Sequence, residues 1–314
     1  MDFISIALLV SGLVLLIGGG EALVRGSVAT GIRVGLSPLA AGLTIVAFGT
    51  SSPELIVNLR AASIGEGGLA VGNIVGSNIA NIGLIMGLSV LIRPVKLDVR
   101  MVRNDVYIMV AATALGVVSL LDGHLSRIEG MVMFAGIVWY IAYNLQRARK
   151  ARETSREQFA ESLTVSEAPL WKSLLLIVVS LLVLSGGGFL AVKGAVSLAE
   201  ALGASPAVIG LTVVAIGTSL PELATSAVAA YRNHGDMSIG NVVGSNTFNL
   251  LFVLGLTACL MPLEIGAVSK IDLAVTVVFS LYFIRLMHVG ALMARWEGVV
   301  LLAGFVGYMG YLAA

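Results

Sequence analysis

Two glutamates, Glu54 and Glu222, lie inside apolar stretches of this chain with no basic partner nearby in sequence. Placing a carboxylate at the centre of a membrane span costs on the order of 3 kcal/mol on insertion scales, and such residues usually face a cavity and bind or relay cations. The same run precedes each: Thr50, Ser51 and Pro53 before Glu54, and Thr218, Ser219 and Pro221 before Glu222. Proline withholds a backbone donor and clashes with the preceding turn, and Gly49 and Gly217 add local freedom. The expectation is a discontinuous helix whose freed carbonyls, near Ala47 and Ala215, point into a site. Lipid tolerates such a break only where the backbone is buried in protein or lines a wet cavity. A lone Thr-Ser-x-Pro reads best as a simple kink. Two copies in register, each ending in glutamate, favour an ion site.

A second motif also occurs twice, as "GNIVGSNIAN" (72–81) and "GNVVGSNTFN" (240–249). Ser77 and Asn81 are four residues apart, so they share one helix face; Ser245 and Asn249 repeat the spacing. The glycines Gly72, Gly76 and Gly83, and likewise Gly240 and Gly244, form small-residue stripes, for which close helix packing is a sufficient explanation. The amides are candidates for more. Asn81 and Asn249 are read as site members with Ser77 and Ser245 beside them. Asn73 and Asn241 are read as helix-start or gate residues, and hydrogen bonds between helices could account for some of the remaining asparagines.

Together these residues offer carboxylate, hydroxyl, amide and backbone oxygens. No Cys or His belongs to the set; His124, His234 and His288 fall in loops or at span ends. All-oxygen, partly anionic ligation suits hard cations and argues against zinc, copper or iron. Two glutamates carry a charge that one Ca²⁺ or two Na⁺ would neutralise; a third Na⁺ would make exchange electrogenic. No cofactor is expected beyond the transported ions.

The elements that must position these residues are apolar. The 314 residues are 58% hydrophobic and 12% charged, against about 25% charged in soluble domains. The chain reads as an all-α polytopic membrane protein. A net charge of +1 gives no polyanion signal, so no nucleic-acid partner is expected, nor an obligate protein partner. The single Cys259 excludes an intrachain disulfide, and "MDFISIALLV" lacks a basic n-region, which favours an uncleaved first span. Ten spans are expected at roughly 3–31, 37–64, 69–92, 102–121, 127–147, 171–201, 205–232, 237–261, 269–288 and 296–313. Residues 148–170 form a polar linker between two units, 1–147 and 171–314. With that linker cytoplasmic and both termini outside, 15 of the 19 Lys and Arg fall at the inner face, as the positive-inside rule requires.

The halves are copies. Residues 35–95 align without a gap on 203–263 at an offset of 168, with 27 of 61 positions identical. The register continues upstream, where Gly18–Gly20 align with Gly186–Gly188. Each half holds an odd number of spans, five, so the second must enter the membrane inverted. Two inverted-topology five-helix repeats around one midplane site are a common plan of secondary transporters.

At "GTSSPE" (49–54), "GTSLPE" (217–222), "GNIVGSN" (72–78) and "GNVVGSN" (240–246) the sequence resembles the calcium/cation antiporter superfamily, and closely its prokaryotic sodium/calcium exchanger branch. The resemblance covers essentially the whole chain. It implies a central site from helices 2, 3, 7 and 8 and Na⁺/Ca²⁺ antiport by alternating access in a prokaryotic inner membrane. It carries ion ligands onto Ala47, Thr50, Ser51, Glu54, Ser77 and Asn81, and onto Ala215, Thr218, Ser219, Glu222, Ser245 and Asn249. Some archaeal relatives have an aspartate where this chain has Asn249. The linker is too short for the calcium-sensing domains of eukaryotic exchangers. A slide of helices one and six, which carry the glycine triplets, is the expected switch. Proton or K⁺ coupling is the alternative within transport, since a buried carboxyl can also take a proton. A channel fits the inverted halves less well. A hydrolase using the two glutamates lacks a nucleophile–base pair, so no enzyme activity is expected.

Overall fold

In the computed structural model, residues 3–96, 99–154, 169–203, 215–266, 268–289 and 292–313 are described. They are mostly helical. Seven helices among them are long and apolar enough to cross a membrane. These are α1 (Phe3–Val34), α2 (Pro38–Ser63), α3 (Gly67–Ile92), α4 (Val99–Leu120), α5 (Arg127–Thr154), α6 (Leu170–Ala201) and α8 (Gly235–Leu260). The described part of α7 comprises Ala215–Gly217 and Leu220–Tyr231, and α9 (Lys270–Val289) and α10 (Arg295–Ala313) follow. The expected span at 205–232 begins in residues outside the described set, as does most of the linker. Helix α5 runs to Thr154, past the linker boundary expected at 148. The reason is local: "ARKARET" contains mostly strong helix formers, which extend the helix beyond its apolar part.

Side-chain caps set several helix starts. Ser37 accepts from the Ala40 N–H at the start of α2, with Pro38 in the first turn. Ser126 and Glu129 form a reciprocal capping box on α5, and Ser269 and Asp272 form one on α9.

Helices α1 and α6 pack along each other through glycines. A Cβ on Gly187 would lie 3.0 Å from Leu16 N, and one on Gly194 would lie 2.5 Å from Leu9 N. The triplets divide their faces. A Cβ on Gly18 or Gly186 would meet nothing within 4 Å among the described residues, Gly19 and Gly187 face the partner helix, and Gly20 and Gly188 face α7. Glu21, read from sequence as interfacial or structural, binds Arg25 (2.6 Å) on its own helix and Arg232 (2.9 Å) at the end of α7.

Buried apolar residues form one cluster through α2–α5 and α8–α10 and a second where α1 and α6 meet α2 and α7. A Cβ on Gly240 would sit 2.5 Å from Leu39 O, and one on Gly244 would sit 2.7 Å from Ala47 Cβ, so α8 approaches α2 almost backbone to backbone. Two short antiparallel ladders tie the ends: β1 (Val95–Lys96) with β4 (Leu292–Met293), and β2 (His124–Leu125) with β3 (Leu263–Glu264). Val95 pairs with Met293, and Leu125 pairs with Leu263. The 168-residue offset carries Val95 onto Leu263 and Leu125 onto Met293, so each ladder is the image of the other.

Candidate cation site

Helix α2 is not one regular helix. Its turns widen to π geometry over Gly42–Val46, return to α over Ala47–Thr50, break at Ser51 (φ −80, ψ 2) and restart at Ser52. Pro53 lies in the first turn of the restarted segment, where its missing N–H costs least. Helix α7 breaks at the equivalent Ser219 (φ −89, ψ 5) and restarts at Leu220 with Pro221. Both glutamates therefore sit in the first turn of a new helix, where the helix dipole favours negative charge. The expectation for Ala47 needs correcting. Its carbonyl is not freed, because it accepts the Ser51 N–H at 3.0 Å. The acceptor that loses its i+4 donor to proline is Gly49. Ala47 O keeps only its second lone pair for a ligand. In α7 the Ser219 N–H goes instead to Ile216 O at 3.0 Å, and Ala215 opens the described segment.

The two carboxyls are each 1% exposed, and they are close enough to feel one another's charge. Thr218 faces Glu54, and Thr50 and Ser51 face Glu222, but none of these closes a hydrogen bond to a carboxylate oxygen. Among the described residues, all four carboxylate oxygens are buried without a hydrogen-bond partner. The same holds for Ser51 Oγ, Ser219 Oγ, Ser77 Oγ, Asn81 Oδ1 and Asn249 Oδ1. Buried polar atoms are nearly always paired, so this concentration of unpaired oxygens makes a candidate cation site. Among the described residues no three His, Cys, Asp or Glu side chains gather to hold a metal. A cation here would rest on the two carboxylates together with hydroxyl, amide and carbonyl oxygens.

The remaining site residues have their protons turned aside. Thr50 Oγ1 is within donating range of Val46 O (3.1 Å), Asn241 Oδ1 (3.3 Å) and Ala47 O (3.5 Å). Ser245 Oγ also donates to Asn241 Oδ1, at 3.5 Å. Thr218 Oγ1 donates to Asn73 Oδ1 at 3.3 Å. Asn241 and Asn73 are thus not at helix starts, which fall at Gly235 and Gly67; each accepts a hydroxyl proton from the site. Each is anchored in turn: Asn73 Nδ2 donates to Asn58 Oδ1 (2.8 Å), and Asn241 Nδ2 donates to Ser226 Oγ (2.9 Å). Sequence reading missed Asn58 and Ser226. A signal was present, since both lie four residues after a site glutamate, on the same helix face, and correspond under the offset.

Asn81 and Asn249 each begin a π-helical segment, Asn81–Met86 in α3 and Asn249–Leu254 in α8. Short π segments often mark functional sites because they re-aim side chains. No pattern of hydrophobicity announces them, and the sequence reading assumed regular helix.

These observations meet the comparisons with known proteins. The profile of the sodium/calcium exchanger protein family matches residues 4–146 and 172–314. The chain belongs to that family and is a multi-pass membrane protein. It is 31% identical to the sodium/calcium exchanger MaX1 of Methanosarcina acetivorans over 98% of each chain. It is 34% identical to the inner membrane protein YrbG of Escherichia coli, over 98% of this chain and 96% of that protein. Among solved structures it is similar to the sodium-calcium exchanger NCX_Mj soaked with Na⁺ and Sr²⁺, with a TM-score of 0.84, 31% identity and 99% coverage of both chains.

Proposed function

We propose that this protein is a secondary antiporter that exchanges Ca²⁺ for Na⁺ by alternating access at the site between Glu54 and Glu222. The carrying observation is the set of buried, unpartnered oxygens on residues related by one offset. The proposed ligands are Glu54, Thr50, Ser51, Ser77, Asn81 and the carbonyl of Ala47, with Glu222, Thr218, Ser219, Ser245, Asn249 and the carbonyl of Ala215. The family and the names of its members support Na⁺ and Ca²⁺ as the cargo.

Coupling follows from charge. Two ionised carboxylates without a counterion are costly in a dry interior, so the empty site resists closing. One Ca²⁺ or two Na⁺ remove that obstacle, which makes transport an exchange rather than a leak. Additional Na⁺ would carry net charge.

The chain in this reading has ten spans in two inverted five-helix repeats, 1–147 and 171–314, joined by a cytoplasmic linker at 148–170. Both termini lie outside a prokaryotic inner membrane. The mirrored β ladders support the two-fold relation. The site's flanks differ: Thr50, Asn241, Gly240 and Gly244 are buried, whereas Thr218, Asn73, Gly72 and Gly76 are partly exposed. On the positive-inside orientation the exposed flank faces outward, so this conformation is the outward-accessible one. Helices α1 and α6 interlock through glycines and move as one body against the core.

Purified protein in liposomes, loaded with ⁴⁵Ca²⁺ and given an opposing Na⁺, H⁺ or K⁺ gradient in turn, tests the assignment. Efflux driven by Na⁺ alone is the expected result. Efflux driven only by a pH or K⁺ gradient would replace Na⁺ as the coupling ion, and single-channel current would overturn antiport.

A further inference from the structure

Asn78 and Asn246 are fully buried, occupy corresponding positions in the two halves, and are not among the proposed ion ligands. Their bonds cross. Asn249 Nδ2 donates to Asn78 Oδ1 at 3.1 Å, and Asn81 Nδ2 donates to Asn246 Oδ1 at 3.0 Å. Asn78 Nδ2 in turn donates to Asn246 O at 3.3 Å, and Asn246 Nδ2 reaches Met109 Sδ at 3.8 Å.

An asparagine side chain has one acceptor end and one donor end of nearly the same shape. Packing alone cannot decide which end faces a site. A cation needs the oxygen; the NH₂ end would repel it and would compete for the glutamates. In both halves the donor end of the candidate ligand is occupied by an acceptor on the opposite repeat. Among the described residues, Oδ1 of Asn81 and of Asn249 is buried and unpartnered.

We infer that Asn78 and Asn246 are positioning residues that set the polarity of the cation site. Each fixes the amide of the opposite repeat's ligand, Asn249 or Asn81, with its oxygen toward the ion. This rests on the proposed membership of Asn81 and Asn249 in the site. If Asn246 no longer accepts, the Asn81 amide keeps a buried donor without its partner on the opposite repeat, its orientation is no longer fixed, and cation binding weakens. Because each anchor lies on the partner repeat, the two halves also depend on one another: a shift of α3 against α8 misaims both ligands at once.

The test is a double-mutant cycle on Ca²⁺ affinity, measured by ⁴⁵Ca²⁺ binding to the purified full-length protein, with thermal stability recorded without Ca²⁺. Asn246→Leu keeps the branched outline of the side chain, though it is larger, and removes the acceptor. It should weaken Ca²⁺ binding by about tenfold in the otherwise unchanged protein, the usual scale for losing an outer partner of a ligand. In an Asn81→Ala background, where no amide is left to aim, it should change affinity by less than about twofold. Asn246→Asp, which keeps an acceptor for Asn81, should retain binding. Equal losses in both backgrounds would mean that Asn246 only packs, and would overturn the inference while leaving the site intact. No loss from Asn81→Ala alone would remove Asn81 from the site and the inference with it. The mirror cycle, Asn78→Leu with Asn249→Ala, provides the same readings if Asn246→Leu does not fold.

Discussion

Helices α1 and α6 are almost continuously apolar, yet only 28% and 33% of their most apolar stretches is buried. Helices α3 and α8 carry six asparagines between them, and 78% and 83% of theirs is buried. A soluble protein would arrange these the other way round. In lipid no hydrophobic force draws apolar helices together, so α1 and α6 can stay at the rim with Val14, Ile17, Leu182 and Phe189 turned outward. The amides have no partners in lipid and must find one another. The polar helices therefore form the buried centre and the apolar pair lies at the rim; in the proposed mechanism that pair is the part that slides. Both pairs use glycine, for different ends. Gly240 and Gly244 seat α8 on α2 where a shift would break the site. Gly12, Gly19, Gly187 and Gly194 make α1 and α6 a single smooth body.

The contrast can be broken most severely at its centre. Glu54→Gln and Glu222→Gln should each lower ⁴⁵Ca²⁺ exchange in proteoliposomes by about 100-fold or more, as expected when one charged partner of a buried constellation is lost. Stability without cations should not fall, because a costly buried charge is removed. Near-normal flux in either variant would move the site elsewhere.

Joining the rim to the core should come next. Cysteines at Glu21 and Arg232, linked by a short bifunctional reagent, would fix α1 to α7 across the existing ion pair. Exchange should stop while Ca²⁺ binding from the open side persists. Full exchange in the cross-linked protein would show that α1 does not move against α7.

A smaller effect separates a packed glycine from an unpacked one. Gly240→Ala places a methyl against the Leu39 carbonyl and should destabilise the protein by about 1–3 kcal/mol, read as a lowered thermal midpoint in detergent. Gly186→Ala has no atom to meet within 4 Å among the described residues and should leave that midpoint unchanged. Smallest of all, Leu182→Ala on the lipid face, where Leu182 is 69% exposed, should stay within about 0.5 kcal/mol. A large loss there would mean that this face is covered by a partner.

Much of this was legible along the chain. Apolar runs marked the spans, because membrane helices must satisfy their backbone internally and show apolar side chains to lipid. The offset of 168 picked out the paired glutamates, hydroxyls and amides, since shared apolar composition does not reproduce polar residues at one fixed spacing. Asn58 and Ser226 were missed although they share a helix face with the glutamates; a single helix cannot show that Asn73 or Asn241 waits across the gap. Ala47 was included for a freed carbonyl, but the turn before the break closes on it, and the i+4 donor that Pro53 withholds is the one for Gly49.

The sequence by itself determined which atoms could meet a cation and that they come in two corresponding sets. Residue types and their spacing are covalent facts. Only the tertiary structure decided which way those atoms point. The orientation of an amide or a hydroxyl depends on partners brought from the other half of the chain, as Asn246 is brought to Asn81 across 165 residues. The tertiary structure also separated the flanks of the site, burying Thr50 while leaving Thr218 partly exposed. Under the alternating access proposed above, two halves so alike in sequence differ in exposure because the α1–α6 pair rests against only one of two equivalent positions at a time.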